Sequence, residues 1–381
     1  MCSKYRFFVL FQFIYVKKIE NRIFLYNTFT NNKYEILEPE IIKNFEISLK
    51  LYNAAFQINK INTAYCQNLV NEGFGEIIED EKDLFIPLRS CLKIENNKSI
   101  IQRDEPLIIL KQLLSNVLEF SFIMSDIYNK SQHERQYFFS CDNLEDDSNR
   151  IFDKIKYLLN NDNLFPRLQS VNIYTKKIEE IELILGLIKN RNIIRFHIPI
   201  ELYLSARVAF NEYNTTVYLE RKDELESIGD LLNNHRYVIC IEDVNSIVPY
   251  NSLITYKPRF KDNLVFFQDN IFLSEYDIVN QKHKVHEIIK NGVINSYDFG
   301  KIFIDIKGNY GTNMFSESIG NFFENDIKDN FLECYKSNES TWFLTRSKVE
   351  PCSNCNYCDL CPPISGLEFI LDKFNLCQEI N

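Results

Sequence analysis

The sequence predicts an α/β protein: a parallel sheet in the middle of the chain, a small hairpin module before it and a cysteine-rich segment after it. Three observations predict this. Between residues 107 and 300, strand-like runs alternate with helix-like ones, the pattern of βαβ units. The N-terminal stretch carries short apolar runs separated by turn residues, then an amphipathic run. Near the C-terminus, Cys352, Cys355, Cys358 and Cys361 fall within ten residues, and Cys377 follows. With 381 residues and 45% hydrophobic content, the chain has room for two or three domains with full cores.

The first segment, residues 1–105, reads as a hairpin-plus-helix module. Phe7–Val16 and Arg22–Asn27 are aromatic and β-branched runs, which suit strands. A turn is expected at Lys18–Asn21, and a second at Asn31-Asn32 before a strand at Lys33–Leu37. Pro39–Leu51 has helical spacing through Ile41, Ile42, Phe45 and Leu49. Lys4 and Arg6 before Phe7–Val16 give a superficial likeness to a signal peptide. No small-residue cleavage site follows, however, and Lys17-Lys18 come at once. The run is also far short of the roughly 20 residues needed to span a bilayer. A cytoplasmic protein with no membrane segment is expected. The polar stretch Ile94–Pro106 reads as a connector, and Glu79–Asp83 as a solvated loop.

The middle segment, residues 106–300, should supply the parallel sheet. Its strand-like runs are Val117–Met124, Ser170–Tyr174, Ile193–Ile198, Thr215–Leu219, Tyr237–Ile241 and Asn263–Phe267. Its helical runs are Arg150–Leu159, Ile178–Lys189, Glu201–Tyr213 and Lys222–Asn233. Periodicity does not choose between an open sheet and a partial barrel. His283 and His286 lie three apart and would share a helix face, which reads as a solvated face rather than a metal site. A polar loop is the plainer account of His133–Arg135. Cys2, Cys66, Cys91, Cys240 and Cys334 are scattered, as structural cysteines are, with Cys240 inside an apolar strand.

The third segment, residues 301–381, opens on a short strand at Ile302–Ile306 and becomes loop-rich. Small loop-rich domains often depend on a metal. In a reducing compartment, thiols this dense ligate metal rather than pair as disulfides. An iron–sulfur cubane and a zinc ion both accept four thiolates. The fourth ligand beside Cys352, Cys355 and Cys361 could be Cys377 or Cys358, since Cys355-x2-Cys358-x2-Cys361 is also a workable spacing. Trp342 is the lone tryptophan, readable as a peptide anchor or as packing. The net charge of −10 excludes nonspecific nucleic-acid binding, which needs a basic surface.

The spacing Cys352-x2-Cys355-x5-Cys361 with a distant Cys377 resembles the SPASM domain of radical-SAM peptide-maturation enzymes. That domain's pattern C-x9-15-G-x4-C, gap, C-x2-C-x5-C-x3-C, gap, C carries two auxiliary iron–sulfur clusters. Gly308 matches the glycine, but Asn313 and Ser365 stand where cysteines should be. The resemblance therefore implies that the first cluster is lost. It implies that one 4Fe–4S cluster remains, held by Cys352, Cys355, Cys361 and Cys377. The middle segment resembles a radical-SAM partial (β/α) barrel without its C-x3-C-x2-C motif. After Val117–Met124 no cysteine appears until Cys141, and no glycine lies between Gly75 and Gly186. No SAM binding and no catalytic residue are expected.

Together with Leu25-Tyr26-Asn27-Thr28 and Trp342-x2-Thr345-Arg346, these features resemble the pseudo-radical-SAM proteins of Bacteroidales-type ribosomal-peptide (RiPP) systems. The resemblance implies a winged-helix-like N-terminal peptide-recognition module. It implies a non-catalytic accessory role, binding a precursor peptide or a partner modifying enzyme. The competing expectations are a zinc-stabilised scaffold and an enzyme that reuses the barrel for non-radical chemistry.

Overall fold

The structure is a computed structural model that describes residues 6–50, 55–79, 113–125, 148–160, 164–187, 191–206, 210, 213–228, 235–248, 251–260 and 263–378. The expectations for Cys2, Cys91, Cys141, His133–Arg135, most of Glu79–Asp83 and the 94–106 connector fall outside those residues.

The N-terminal run expected as one strand is two. β1 (Phe7–Leu10) and β2 (Ile14–Ile19) belong to different sheets. The break has a local cause. Phe11 N donates to Phe74 O (3.1 Å), and Phe13 O accepts from both Thr28 N and Thr28 Oγ1. The chain thus changes partners over three residues. β2 continues through β3 (Arg22–Asn27) and β4 (Lys33–Ile36) as an antiparallel meander. The Asn31-Asn32 turn is present, with Asn31 at φ 62°, a conformation asparagine tolerates. α1 (Pro39–Lys50) starts on proline, whose missing N–H costs nothing there. It buries Ile41, Ile42 and Phe45.

β1 instead pairs antiparallel with β5 (Ala55–Gln57) and β6 (Gly75–Ile78), which flank α2 (Thr63–Asn71). None of these three was expected. Gly75 is required, because a Cβ there would lie 2.3 Å from Val9 O.

The middle of the chain builds a nine-stranded, mostly parallel sheet. β7 (Glu119–Ile123), β8 (Ser170–Tyr174), β9 (Ile194–Pro199), β10 (Asn214–Leu219), β11 (Arg236–Ile241) and β12 (Ile254–Pro258) lie side by side in chain order, all parallel. The helices α3 (Ser148–Leu159), α4 (Ile178–Leu187), α5 (Ile200–Ser205) and α6 (Glu224–Ile228) fall between successive strands. Strands that advance in one direction through right-handed crossovers place their helices on one face. The core agrees: Phe120, Phe122, Val171, Ile173, Phe196, Ile198, Val217 and Ile239 pack with Ile151, Ile155, Ile181, Ile184, Tyr203 and Ile228.

Two expectations about this sheet are corrected. Asn263–Phe267 is not a strand. It begins α7 (Leu264–Asn270), and the sixth parallel strand is β12, a more polar run at the sheet edge. Five apolar residues alone do not distinguish a strand from a buried helix turn. Cys240 also lies off the core. It faces away from Tyr237 and Ile239 and is half-buried, because strand side chains alternate.

After α8 (Glu275–Asn280) and α9 (Val285–Asn291), the chain returns to the sheet. β13 (Lys301–Asp305), expected to open the third segment, pairs parallel with β7. β14 (Asn309–Gly311) and β15 (Gly320–Asn321) extend the sheet antiparallel. Gly308 makes the β13–β14 turn at φ +83°, where a Cβ would strike the Phe323 ring at 2.4 Å. α10 (Ile327–Lys336) then closes the core under β7. Phe331 packs on Phe120 and Phe165 with ring centroids 5.5 and 4.8 Å apart. The chain ends in a series of tight turns and α11 (Gly366–Leu371). Among the described residues, no helix is long and apolar enough to cross a membrane.

Candidate metal centre

Three short 3₁₀ turns at 341–343, 346–348 and 352–354 deliver the cysteines. Cys355 N donates to Cys352 O (3.0 Å) and Cys361 N to Tyr357 O (2.9 Å). Such tight turns bring sulphurs three to six residues apart onto one wall. Cys377 comes from the far end of the chain. A parallel bridge pairs it with Leu273, and Gln378 N donates to Leu273 O (2.9 Å). The result is a cavity of about 640 Å³ lined by Cys352, Cys355, Cys358, Cys361 and Cys377, with Arg346 in its wall.

The five thiols are not equivalent. Burial pushes all of them up. Cys361 is pushed further by Cys355, Cys352 and Cys377, Cys355 by Cys377, and Cys377 by Cys352. All five line the same cavity. Cys358 is pushed up to about 12, by burial and then by Asp359, with Lys17 pulling it back. Its Sγ lies 3.4 Å from Asp359 Oδ1. Cys358 therefore lines the cavity and also borders the seam with the N-terminal hairpin, where Cys355 and Cys361 pack with Tyr15, Phe24 and Tyr26. Across that seam Tyr15 Oη donates to Asp359 Oδ2 (3.0 Å), and the Phe24 and Tyr357 rings meet edge-on at 5.3 Å. Tyr357 Oη and Lys33 Nζ both reach Glu275 Oε1, each at 2.7 Å.

The arrangement bears on which group fits. Among the described residues, no three His, Cys, Asp or Glu side chains stand where they could hold a metal ion. Zinc holds four sulphurs at about 2.3 Å, so the thiols would have to close in. A 4Fe–4S cubane spreads its four thiolates around a larger body, and four of the five thiols lining the cavity would supply them. Tyr357 N also points at Cys355 Sγ (3.4 Å), the kind of N–H···S contact that steadies a thiolate ligand.

Arg346 is the charged group at this wall. Its Nη1 donates to Glu368 Oε1 (2.9 Å) and its Nη2 to Glu368 Oε2 (3.2 Å), a bidentate pair with both partners buried. The remaining donors reach Pro362 O, Pro363 O, Phe374 O and Cys352 Sγ, the last at 3.8 Å. Burial works against the guanidinium charge, but Glu368 and the thiols outweigh it. Sequence reasoning noticed Arg346 only within a family-like stretch and missed Glu368. The signal was Ser365-x2-Glu368, a capping-box spacing; the box is formed at the start of α11.

Asn313 and Ser365, the positions read as lost ligands, are neighbours. A Cβ on Gly366, next to Ser365, would lie 3.9 Å from Asn313 Oδ1 and 2.7 Å from the Phe315 ring. Asn313 Nδ2 donates to both carboxylate oxygens of Asp298, at 3.0 and 2.9 Å. Burial lifts Asp298 to about 6, against the hydrogen bonds that lower it. An aromatic ring and an amide–carboxylate pair occupy this place.

The C-terminal end of the parallel strands is where α/β sheets bind ligands. On the face away from the helices, Tyr174 stacks on His197, with centroids 4.2 Å and planes 18° apart. His197 Nδ1 lies 3.0 Å from Tyr218 Oη, and its Nε2 is buried without a partner. Burial, then Arg195 and Arg236, lowers His197 to about 3, so the ring is neutral. Ile123, Phe303 and Met314 pack with Tyr174, and beside them Lys176, Glu201, Tyr218 and Glu220 line a cavity of about 450 Å³. His283 and His286 form no site: His283 Nε2 meets Ile278 O at 2.5 Å, and His286 is exposed. Trp342 is fully buried. Its Nε1 donates to Lys301 O (2.9 Å) and its ring packs on Tyr335 and Phe299, so it serves packing.

No family model and no curated protein matches the chain. Among solved structures it is similar to Streptococcus suis SuiB, with 13% identity and a TM-score of 0.38 over 97% of this chain and 100% of that one. SuiB bound to S-adenosylmethionine gives 13% and 0.36 over 97% and 100%. SuiB bound to the precursor peptide SuiA gives 14% and 0.34 over 93% and 94%. Values this low do not establish a family.

Proposed function

We propose that this chain is a non-catalytic radical-SAM-like accessory protein of ribosomal-peptide maturation, binding a precursor peptide or a partner modifying enzyme. In this proposal residues 1–105 form the peptide-recognition module and 106–300 the degenerate barrel. Residues 301–381 form a SPASM-like domain with one 4Fe–4S cluster on Cys352, Cys355, Cys361 and Cys377. The observation that carries it is the pairing of two states in one molecule. Five thiols line one cavity, while Tyr174, His197, Tyr218 and Met314 pack together at the C-terminal end of the described strands. A cluster with four protein thiolates has no open coordination position, so its chemistry is structural or electron-carrying. The peptide would add as a strand to an edge of the N-terminal sheets.

Protein purified without oxygen should carry roughly four irons per chain. Cys377→Ser should lose the cluster and Cys358→Ser should keep it. With S-adenosylmethionine and a reductant, no 5′-deoxyadenosine should form. Zinc in place of iron, or deoxyadenosine above background, would refute the proposal.

A further inference from the structure

Arg346 bonds to several parts of the cysteine segment. Pro362 and Pro363 follow Cys361 directly, Phe374 lies three residues before Cys377, and Cys352 is a direct contact. One planar fork thus gathers the three stretches of chain that carry those cysteines. Its own position is locked by Glu368, and Glu368 is locked in turn: its Oε2 accepts from Ser365 N (2.8 Å) and Ser365 Oγ (3.2 Å). Ser365, where a cysteine was expected, therefore anchors the wall of the thiol cavity. Lysine could not replace this fork, because a single ammonium lacks the planar set of donors.

We propose that Arg346, clamped by Glu368, is a positioning residue for the metal group: it assembles the thiol cavity before loading and supplies the fixed countercharge that tunes the loaded cluster. This rests on the reading of Cys352, Cys355, Cys361 and Cys377 as iron–sulfur ligands. Thiolate-bound cubanes carry net negative charge, and reduction adds another electron, so net charge and hydrogen bonds to sulphur set their potential. The guanidinium contacts a sulphur, and the carboxylate behind it offsets part of its charge.

Two variants separate the two roles. Glu368→Gln keeps the shape and one acceptor for Ser365 and Arg346 Nη2, removes the offsetting charge, and gives up the bond to Arg346 Nη1. Its cluster should be easier to reduce by about tenfold in equilibrium constant, a shift of about 59 mV toward positive potential for one electron. Arg346→Lys keeps the charge but loses the fork. It should release iron to a chelator at least about tenfold faster, in the range typical of lost outer-shell contacts, with a potential close to that of the parent. Dithionite titration followed by electron paramagnetic resonance reads the first, and ferrozine release the second. An unchanged potential in Glu368→Gln overturns the countercharge role. Parent-like iron retention in Arg346→Lys overturns the assembly role. Should Arg346→Lys not fold, Glu368→Gln decides both roles: having lost the Arg346 Nη1 bond, it should also release iron faster than the parent, and parent-like release there overturns the assembly role. If the parent protein binds no iron at all, the ligand reading fails and this inference fails with it; bound iron with parent-like variants overturns this inference alone.

Discussion

Behind β7 and β8, Phe120, Phe122, Phe165 and Phe331 fill the space between sheet and helices with apolar rings. Behind the cysteine turns lie a cavity of about 640 Å³ and a buried Arg346–Glu368 pair. The first region gains stability from area removed from water and needs no added group. The second places a charged pair and four thiols where burial penalises their charged forms. A buried ion pair is weak support for a fold taken alone. The difference teaches that metal binding and folding should be coupled in one region and independent in the other.

The largest expected effect tests that coupling directly. Stripping the loaded protein with a chelator should remove stabilisation on the order of 10 kcal/mol from the cysteine segment, the scale of structural metal sites. Hydrogen exchange should show protection lost across 352–377 and kept in β8 to β10. Equal loss in both regions would break the comparison.

Trp342→Ala applies the converse perturbation. Emptying this fully buried site should cost about 3–5 kcal/mol. Urea unfolding should show the loss, while iron content per folded chain stays unchanged.

A pH effect is next in size. Asp298 sits at about 6, above its ordinary 3.8, because burial penalises its carboxylate. The folded state therefore holds this proton more tightly than the unfolded state does. Stability from this group falls as pH rises from about 4 to about 6, and the penalty is fully present above that. It amounts to at most about 3 kcal/mol, at 1.36 kcal/mol per unit. Carboxyl NMR should find the titration near 6 and find it higher in Asn313→Ala, which removes two hydrogen bonds to the charged form.

The smallest effect lies at the seam between the hairpin and the cysteine segment. Lys33→Ala breaks a half-exposed ion pair with Glu275 and should cost no more than about 1 kcal/mol by thermal unfolding. A larger loss would mean that the seam, rather than the metal, holds the two parts together.

Legibility followed the range of the forces involved. β8 was readable residue for residue, because all five of its side chains are buried and no turn interrupts them. α1 was readable from its spacing and β3 from its apolar run. The split of Phe7–Val16 was hidden, because it depends on Phe74 and Thr28, distant in sequence. β12 was hidden because an edge strand is only half-buried and carries a weak apolar signal. The Asn263–Phe267 helix was misread because five apolar residues fit either structure. At the site, the clustering of Cys352, Cys355, Cys358 and Cys361 was legible from spacing, whereas Glu368 could be placed only by its contacts.

The sequence by itself determined the α/β class, the parallel sheet and the thiols available to a metal, since each is written in local spacing and alternation. Only the tertiary structure decided that the distant Cys377 joins the other cysteines at one cavity. Cys377 reaches the cavity through a bridge to Leu273, some hundred residues away, and the nearer Cys358 lines the same cavity while also contacting Asp359. It also decided that Arg346 joins the thiol wall and that Trp342 lies in the core. Spacing fixes which residues can be close along the chain; direction, burial and the return of distant segments fix which ones meet, and those arise only when the whole chain packs.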